Sequence, residues 1–259
     1  MKRAGALTAW LFLLPAAAVF LLFVIYPACE IFIISFRRHS FVGTGTWVGL
    51  DNYARLLTDG TFHAALVNSL LYLLVTPVVV TLALGLALLL EPQIRGIRLL
   101  RSLTFLPVVT PMIVVGIIWK WLLNEDAGLL NALLLGLGLS SAKVSWLSVY
   151  PLNIICVMGV TVWKGLGYYA VIFLAGLTAI PHELEEAAAL DGAGPLQRLL
   201  YLKLPLLKPT IALCVIISSI AALKVFDEVY VIIGGSPAAE QPLVPLIFQS
   251  AFLDFRLGE

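Results

Sequence analysis

Residues 185–205 read EEAAALDGAGPLQRLLYLKLP, a polar and charged segment between two very apolar stretches. Residues 183–190 are strong helix formers, and acids in a first turn favour the positive end of the helix dipole. The following DGAGP ends that helix, because glycine adopts turn conformations and proline is favoured at the first position of a new helix. Residues 195–204 are again amphipathic. The segment therefore predicts a helix–turn–helix hairpin over residues 181–205.

The composition indicates which solvent surrounds the rest of the chain. Of 259 residues, 61% are hydrophobic and 12% charged, and the mean hydropathy is +1.03. A soluble domain carries about 25% charged residues, so this chain has too little charge to cover a water-soluble globule. The net charge of +1 gives no basic field for nucleic acid. We expect an integral membrane protein that does not bind nucleic acid.

Five apolar stretches are long enough to cross a bilayer, which takes about 20 helical residues. They cover about residues 7–36, 62–90, 102–123, 151–180 and 206–233. The first is longer than the apolar core of a signal peptide and is predicted to be retained. Pro107 and Pro111 are expected to bend the third. The prediction is an all-α, polytopic helical bundle with five transmembrane helices, forming a single membrane domain over residues 1–259.

Two shorter apolar runs, residues 129–139 and 243–253, do not reach the length of a span. The first is also rich in glycine. Both are predicted to be interfacial or re-entrant segments.

The distribution of Lys and Arg predicts the orientation, because these residues accumulate on the cytoplasmic side. With the N-terminus inside, eight lie in inner segments and five in outer ones. The inner set is Lys2, Arg3, Arg95, Arg98, Arg101, Arg198, Lys203 and Lys208, and the outer set is Arg37, Arg38, Arg55, Lys143 and Arg256. We expect a multi-pass protein of the cell's inner (cytoplasmic) membrane with a cytoplasmic N-terminus. The hairpin then faces the cytoplasm.

The hairpin is longer than a connection between spans requires, since helix–helix connections usually have about 2–8 residues. A purely structural loop is the alternative interpretation. An ordered projection from a membrane protein favours a docking surface, and Ala187, Ala188 and Ala189 stabilise its first helix without bulk.

The hairpin also resembles the EAA loop of the membrane subunits of binding-protein-dependent ABC importers. Glu186-Ala187-Ala188, three residues, Gly192, nine residues and Leu202-x-Leu204-Pro205 is similar to that pattern, with Leu202 where the family usually has Ile. Three further stretches resemble carbohydrate-importer permeases of the maltose and glycerol-phosphate type. They are WVGLDNYARLL at 47–57, VWKGLGYYAVIFLAGLTAIPHELEEAAALDGA at 162–193 and LKVFDEVYVIIGGSP at 223–237.

The resemblance implies a permease that moves a sugar or sugar-like solute, such as an oligosaccharide, a polyol or glycerol phosphate, by alternating access. It implies four kinds of partner: a second homologous permease subunit, two ATPase (nucleotide-binding) subunits, an extracytoplasmic solute-binding protein and membrane lipid. ATP and Mg are expected on the ATPase, since this chain has no G-x-x-x-x-G-K-[ST] loop, and the chain itself is not expected to be an enzyme. The family core has six spans, so the sixth is expected to be missing here.

Two sets of site residues follow. The set expected to couple to the ATPase is Glu183, Glu185, Glu186, Ala187, Ala188, Asp191, Gly192 and Ala193. The three glutamates are expected to accept hydrogen bonds from basic ATPase residues. Gly192 is the expected bend, so that Gly192→Asp should abolish transport and weaken ATPase docking.

The set expected along the substrate path is Trp163, Lys164, Gly165, Tyr168, Ser218, Ala222, Lys224, Val225 and Asp227. Most of them are at positions where the resemblance implies sugar contact. On straight helices, Lys164, Lys224 and Asp227 would lie roughly 24–28 Å above the cytoplasmic boundary, with Lys224, Asp227 and Glu228 on one face. Charges at that depth face a polar cavity or pair with each other. Snorkelling lysines and packing aromatics are the alternative interpretation.

Metal and disulfide chemistry are not expected, because Cys29, Cys156 and Cys214 lie far apart in apolar runs and the three histidines form no ligand pair. An ion-coupled secondary transporter is the alternative function, although no inverted repeat is visible. A membrane enzyme is a weaker alternative, since no catalytic constellation is present.

Overall fold

The computed structural model describes residues 2–38, 45–91, 95–234 and 236–255, and side chains from Thr8 and from Trp10 onward. Arg256 and the side chains of Lys2 and Arg3, which entered the orientation prediction, lie outside the described residues. The α-helices are α1 Lys2–Phe20, α2 Tyr26–Ile34, α3 Asp51–Leu56, α4 Gly60–Tyr72, α5 Val75–Leu90, α6 Ile97–Val109, α7 Met112–Leu122, α8 Leu129–Gly136, α9 Leu152–Thr178, α10 His182–Leu190, α11 Pro195–Arg198, α12 Leu204–Leu206, α13 Lys208–Leu223, α14 Asp227–Ile233 and α15 Leu243–Phe248.

Short irregular helical segments join some of these helices. The π-helical ones are Leu21–Ile25, Leu199–Lys203 and Gln249–Leu253, and Ala238–Glu240 is a 3₁₀ turn. A two-residue antiparallel pair, β1 Arg37–Arg38 and β2 Thr46–Trp47, is the strand structure of the described residues. The prediction of an all-α membrane protein is confirmed.

The chain forms two compact units, residues 1–63 with 247–259, and residues 64–246. In the first, the apolar helix Trp10–Ile34 is 25 residues long and none of its most apolar window is buried. The stretch WVGLDNYARLL forms β2, a turn and α3. Asn52 holds this turn, since its amide donates to the carbonyls of Ser35 and Arg37 at 2.9 and 3.0 Å.

The second unit contains the packed core. Small residues on α5, Ala83 and Ala87, are fully buried, and so are Val157 and Phe173 on α9. Gly167 of α9 lies directly against the α6 backbone, where a Cβ would meet the carbonyl of Thr104. Small residues at such contacts let apolar helices approach closely, which is how helices associate in lipid.

Only part of the span prediction is confirmed. Within the described residues, three helices, Trp10–Ile34, Gly60–Leu90 and Leu152–Thr178, are long and apolar enough to cross a membrane, and up to five spans result if each bent pair counts as one. The predicted third span is broken between α6 and α7 with a bend of 95°. The break lies at Thr110–Pro111, whereas Pro107 remains inside α6. Proline at this position explains the break because it has no N–H for the helical ladder.

The prediction of one continuous helix over 206–233 is wrong. The hairpin's second arm, Pro195–Leu206, meets α13 at 66°, and α13 itself ends at Leu223. Lys224 caps α13, and α14 begins anew at Asp227. Lys224 therefore does not share one helix face with Asp227, and the depth calculated on a straight helix does not apply to Asp227.

The two short apolar runs form short helices, which agrees with the prediction that neither is long enough for a span, and their interfacial or re-entrant placement stays a prediction. Residues 129–136 form α8, and Leu243–Leu253 is an apolar helix below the length of a span.

Candidate functional site

A cavity of about 220 Å³ lies in the second unit where α5, α6, α9, α13 and α14 meet. Its walls combine apolar, hydroxyl and charged side chains. They are Val75, Val79, Val108, Thr161, Lys164, Gly165, Tyr168, Tyr169, Ser218, Ala221, Ala222, Val225 and Glu228. Two of the helix breaks border this cavity, since Val108 precedes the α6–α7 break and Val225 lies in the α13–α14 break.

The structure brings six of the nine predicted path residues to this cavity: Lys164, Gly165, Tyr168, Ser218, Ala222 and Val225. The other three lie elsewhere. Trp163 packs edge-on against Trp119, with ring centroids 5.6 Å apart. Lys224 and Asp227 are exposed at the two ends of the α13–α14 break. Neighbours in sequence thus separate because adjacent residues of a helix point to different faces.

Lys164 stabilises the α6–α7 break. Its Nζ lies 3.5 Å from the carbonyl oxygen of Val108 in the last turn of α6. A helix C-terminus presents unpaired carbonyls and a partial negative charge, which an ammonium group satisfies. Thr110 satisfies another of these carbonyls, because its hydroxyl donates to Leu106 at 2.9 Å. Such backbone groups need partners because lipid offers none.

Two pairs of hydroxyl groups at the cavity wall and just behind it are hydrogen-bonded to each other. Ser218 donates to Thr76 across α13 and α5 at 3.1 Å. Tyr72 and Thr161 form a 2.6 Å hydrogen bond between α4 and α9. Tyr168 also lines the cavity, and its hydroxyl can both donate to and accept from a ligand.

Sequence reasoning missed Glu228 as a site residue. It is half-buried at the start of α14 and lines the cavity together with Lys164. The signal was available, because a carboxylate inside a membrane segment marks a polar path or a partner. The prediction selected Lys224 and Asp227 from the same stretch, whereas the structure exposes these two and brings Glu228 to the cavity.

The hairpin has the predicted helix–turn–helix form. Its first helix, α10, ends in two capping bonds: Gly192 N–H donates to Ala189 at 3.1 Å and Ala193 N–H to Ala188 at 2.9 Å. This is the Schellman pattern, which places the residue after the cap in the left-handed region. Gly192 has φ +82°, a conformation that side chains with a Cβ rarely adopt. Gln197 then accepts a 2.9 Å bond from Gly194 N–H at the start of α11.

A groove of about 470 Å³ runs along the hairpin between its arms. Four of the eight predicted coupling residues line it, namely Ala188, Asp191, Gly192 and Ala193, together with Gln197, Arg198, Tyr201 and Leu202. The structure does not bring Glu183, Glu185, Glu186 and Ala187 to this groove.

The three glutamates have different surroundings. Glu185 forms a 3.2 Å ion pair with Lys203 of the second arm, which also pairs with Glu91 at 2.7 Å. Glu186 lies 3.5 Å from His182, one turn earlier. Glu183 is exposed and has no ion-pair partner among the described residues. Glu183 is therefore the most available acceptor of the three.

Lys203 is held in its charged form. Burial lowers the pKa of Lys203, but the hydrogen bonds and charges of Glu91 and Glu185 outweigh it, so the pKa lies above its ordinary value. A raised pKa of a lysine means that its stabilising contribution is present at neutral pH and is lost only as the pH rises through that raised value.

Within the described part of the chain, His, Cys, Asp and Glu form no group of three that could hold a metal ion. The three cysteines are free thiols.

The fold defines a polytopic helical membrane protein with a partly polar cavity and a helix–turn–helix hairpin. Residues 80–253 match the family described as binding-protein-dependent transport system inner membrane component. The chain belongs to this family of ABC importer permeases, a membrane transport component and not an enzyme. The resemblance drawn from the EAA pattern is confirmed.

Two relatives and one solved structure illustrate the match. The chain is 35% identical to the probable ABC transporter permease protein YurN of Bacillus subtilis, over all of this chain and 90% of YurN. It is 34% identical to the trehalose/maltose transport system permease protein MalF of Thermococcus litoralis, over all of this chain and 87% of MalF. It shares its fold with a chain of the bacterial alginate ABC transporter crystallised with its alginate pentasaccharide-bound periplasmic protein, with a TM-score of 0.84, 22% identity and coverage of 99% and 86%.

Proposed function

We propose that this chain is the permease subunit of an ATP-driven importer that moves a saccharide or similar polyol across the inner membrane. Its relatives are named for trehalose, maltose and other sugars, and its fold neighbour for alginate. The observation that carries the proposal is the hairpin, with its groove and its fixed Gly192 turn, in a chain of this family. An ordered cytoplasmic projection of this kind favours a role in binding a protein partner over a role as a simple connection between spans.

The chemistry of the cavity supports a sugar ligand. Tyr168 offers an aromatic face for the apolar side of a pyranose ring, and Lys164 and Glu228 offer a donor and an acceptor for its hydroxyls. The two charges are opposite, so the cavity has no net charge that would demand an ionic solute. Mostly apolar walls with a few polar groups are typical of small-molecule sites.

Coupling would run through the hairpin. We propose that it docks on one of two cytoplasmic ATPase subunits, which bind ATP and Mg, and that a second permease completes the path. The solute would arrive from an extracytoplasmic binding protein, and the N-terminus would be cytoplasmic. ATP can drive the change between inward-facing and outward-facing states only through contacts that differ between the two states of the ATPase.

Reconstitution tests this function directly. Proteoliposomes containing the chain, its partner permease and the ATPase should take up an oligosaccharide only with internal ATP and external binding protein. The matched control omits the ATPase. Uptake driven by a proton or sodium gradient in that control would support the secondary transporter instead.

Two aromatic substitutions test the substrate path. Tyr168→Ala should reduce uptake about tenfold with assembly intact. It removes the contact between the aromatic ring and the sugar, and an aromatic contact contributes up to about 1.5 kcal/mol. Trp163→Ala should have a smaller effect, since Trp163 packs on Trp119 outside the cavity. Uptake and solute-stimulated ATP hydrolysis unchanged in Tyr168→Ala would contradict the assignment.

A further inference from the structure

Three charged side chains meet at the cytoplasmic end of α5. Lys203 Nζ lies 2.7 Å from both carboxylate oxygens of Glu91 and 3.2 Å from an oxygen of Glu185. These side chains are only 13%, 26% and 22% exposed, respectively. Partial burial makes each interaction stronger than a surface ion pair, which is usually worth little. We call this cluster the Lys203 triad.

The triad joins three elements that the chain does not join locally. Glu91 caps the end of α5, Glu185 lies in the first turn of α10, and Lys203 lies in the π-helical part of the second arm. Glu91 and Lys203 are separated by 112 positions. The hairpin is covalently connected to α9 and α13, so the triad adds a link to a third helix, α5.

The α5 end of this link is itself held in place. Arg101 of α6 donates from Nε and Nη2 to the carbonyl of Leu90 at 3.1 and 2.7 Å. An arginine at a helix C-terminus satisfies the free carbonyls there and favours the dipole. Glu91 therefore projects from a fixed point rather than from a free loop.

The other end of α5 reaches the cavity. Val75 and Val79 line it, and Thr76 accepts the hydrogen bond of Ser218. A displacement of the hairpin that is transmitted to Glu91 thus acts on the helix that forms one cavity wall. None of the residues of α10, all of which the structure describes, is buried, so packing alone gives this arm little hold on the bundle.

We propose that Lys203 is a positioning residue for energy coupling, which transmits hairpin displacement to α5 through Glu91 and Glu185. This rests on the proposed function, because the displacement is the one that the ATPase would impose. Without the triad, the hairpin would still dock, but ATP hydrolysis would move α5 less effectively.

The primary experiment compares two lysines in the reconstituted complex. K203Q should lower the amount of solute taken up per ATP hydrolysed on the order of tenfold, since removing one partner of a partly buried ion pair leaves uncompensated charge. K208Q is the matched control, because Lys208 is exposed and has no ion-pair partner among the described residues. ATPase co-purification should be the same in both. An unchanged ratio in K203Q would overturn the proposal.

A charge exchange separates transmission from simple stability. E91K/K203E, made in an E185Q background so that the introduced acid does not face a second carboxylate, should restore most of the ratio. If K203Q and E91Q fail to assemble, the cluster has only a structural role. If the complex assembles but the charge exchange does not restore the ratio, the ion pairs are not needed for coupling. Either result would overturn the role in coupling.

A third readout does not depend on transport. Amide hydrogen exchange of the purified complex should rise in residues 183–204 of K203Q and not of K208Q. If uptake never requires ATP in the unsubstituted protein, the proposed function fails while this measurement still reports on the anchor. Equal exchange in both variants would overturn the anchor itself.

Discussion

Two short helices, α8 and α10, end in the same way and yet are built for different surroundings. After α8, Gly138 N–H donates to Leu135 at 3.1 Å and Leu139 N–H to Leu134 at 2.9 Å, the same pattern that Gly192 and Ala193 complete after α10. Both glycines have positive φ, +68° and +82°. The span α9 separates the two helices in the chain, so we expect them on opposite sides of the membrane.

The difference lies in what each helix is attached to. Asn131 of α8 is 3% exposed and donates to the carbonyls of Glu125 and Val144 while its oxygen accepts from Val144 N–H and Trp146 Nε1. This buried amide ties α8 to the residues before and after it, 125–146, which we call the α8 segment. All of the hydrogen bonds of the amide are made within this segment. None of the fully described residues of α10 is buried, and the triad is its charged attachment. The comparison teaches that the same cap ends a helix held by a buried amide network and a helix held by a charged contact, and the hairpin's proposed partner would account for the difference.

Cysteine labelling tests on which side of the membrane α8 and α10 lie, and it should give an all-or-none result. In a background without Cys29, Cys156 and Cys214, Ala193→Cys should react with an impermeant maleimide only from the cytoplasmic side and cross-link to the ATPase. Ala188→Cys should behave likewise. Ala142→Cys, in the α8 segment, should react only from outside. Reaction of Ala193→Cys and Ala142→Cys from the same side would break the comparison and the predicted orientation.

The paired glycines give the next largest effect. Gly192→Asp should abolish uptake and weaken ATPase docking, whereas Gly138→Asp should leave uptake within about twofold. The left-handed backbone costs a side chain about 1–2 kcal/mol at both positions, and a Cβ meets no atom at either one. A difference in uptake between the two variants therefore reports the contact between the hairpin and its proposed partner, and not the backbone strain. Equal losses of uptake would mean that both act through folding alone.

Removing the buried side-chain amide of Asn131 should lower stability and leave uptake nearly unchanged, the opposite of the expected effect of Gly192→Asp. Asn131→Ala should destabilise the complex by about 2–3 kcal/mol, because it leaves several buried polar groups unpaired. Thermal unfolding followed by tryptophan fluorescence measures it, with Ser141→Ala as an exposed control. Uptake per folded complex should hardly change. A loss of uptake as large as that of Gly192→Asp, without lower stability, would contradict a purely structural α8 segment.

The smallest expected effect is at the start of the second arm. Gln197→Ala removes the bond to Gly194 N–H and should cost about 0.5–1 kcal/mol, with uptake reduced less than twofold. Gln197→Glu keeps the acceptor and should behave as the unsubstituted chain does. Hydrogen exchange at residues 194–198 measures the local change. A transport defect comparable to that of Gly192→Asp would show that the turn depends on more than its glycine.

The hairpin was predictable from sequence because its signals are local. The helix formers, the acids of the first turn and the glycine at 192 each act on backbone groups close to them in the chain, as the capping bonds do. The break at Pro111 was also expected, since proline removes a donor from the ladder. The break at 224–226 was not, because Lys224, Val225 and Phe226 carry no helix-breaking signal.

The residues that line the cavity were also only partly predictable from the sequence. Lys164 and Tyr168 reach it, whereas Trp163 does not, and Glu228 does because a new helix begins at Asp227. No pattern in the sequence distinguishes these outcomes, since each depends on which face a helix presents after it has packed.

The sequence by itself determined that the chain is a helical membrane protein, where its long apolar segments lie, and that a capped hairpin separates two of them. Apolar length and short-range hydrogen bonds suffice for those features. Only the tertiary structure decided that Lys164 meets the free carbonyl of Val108 and that Lys203 meets Glu91, 112 positions away. Burial makes such charges costly until they are paired, and the pairing is fixed by the packing of helices that are distant in the sequence.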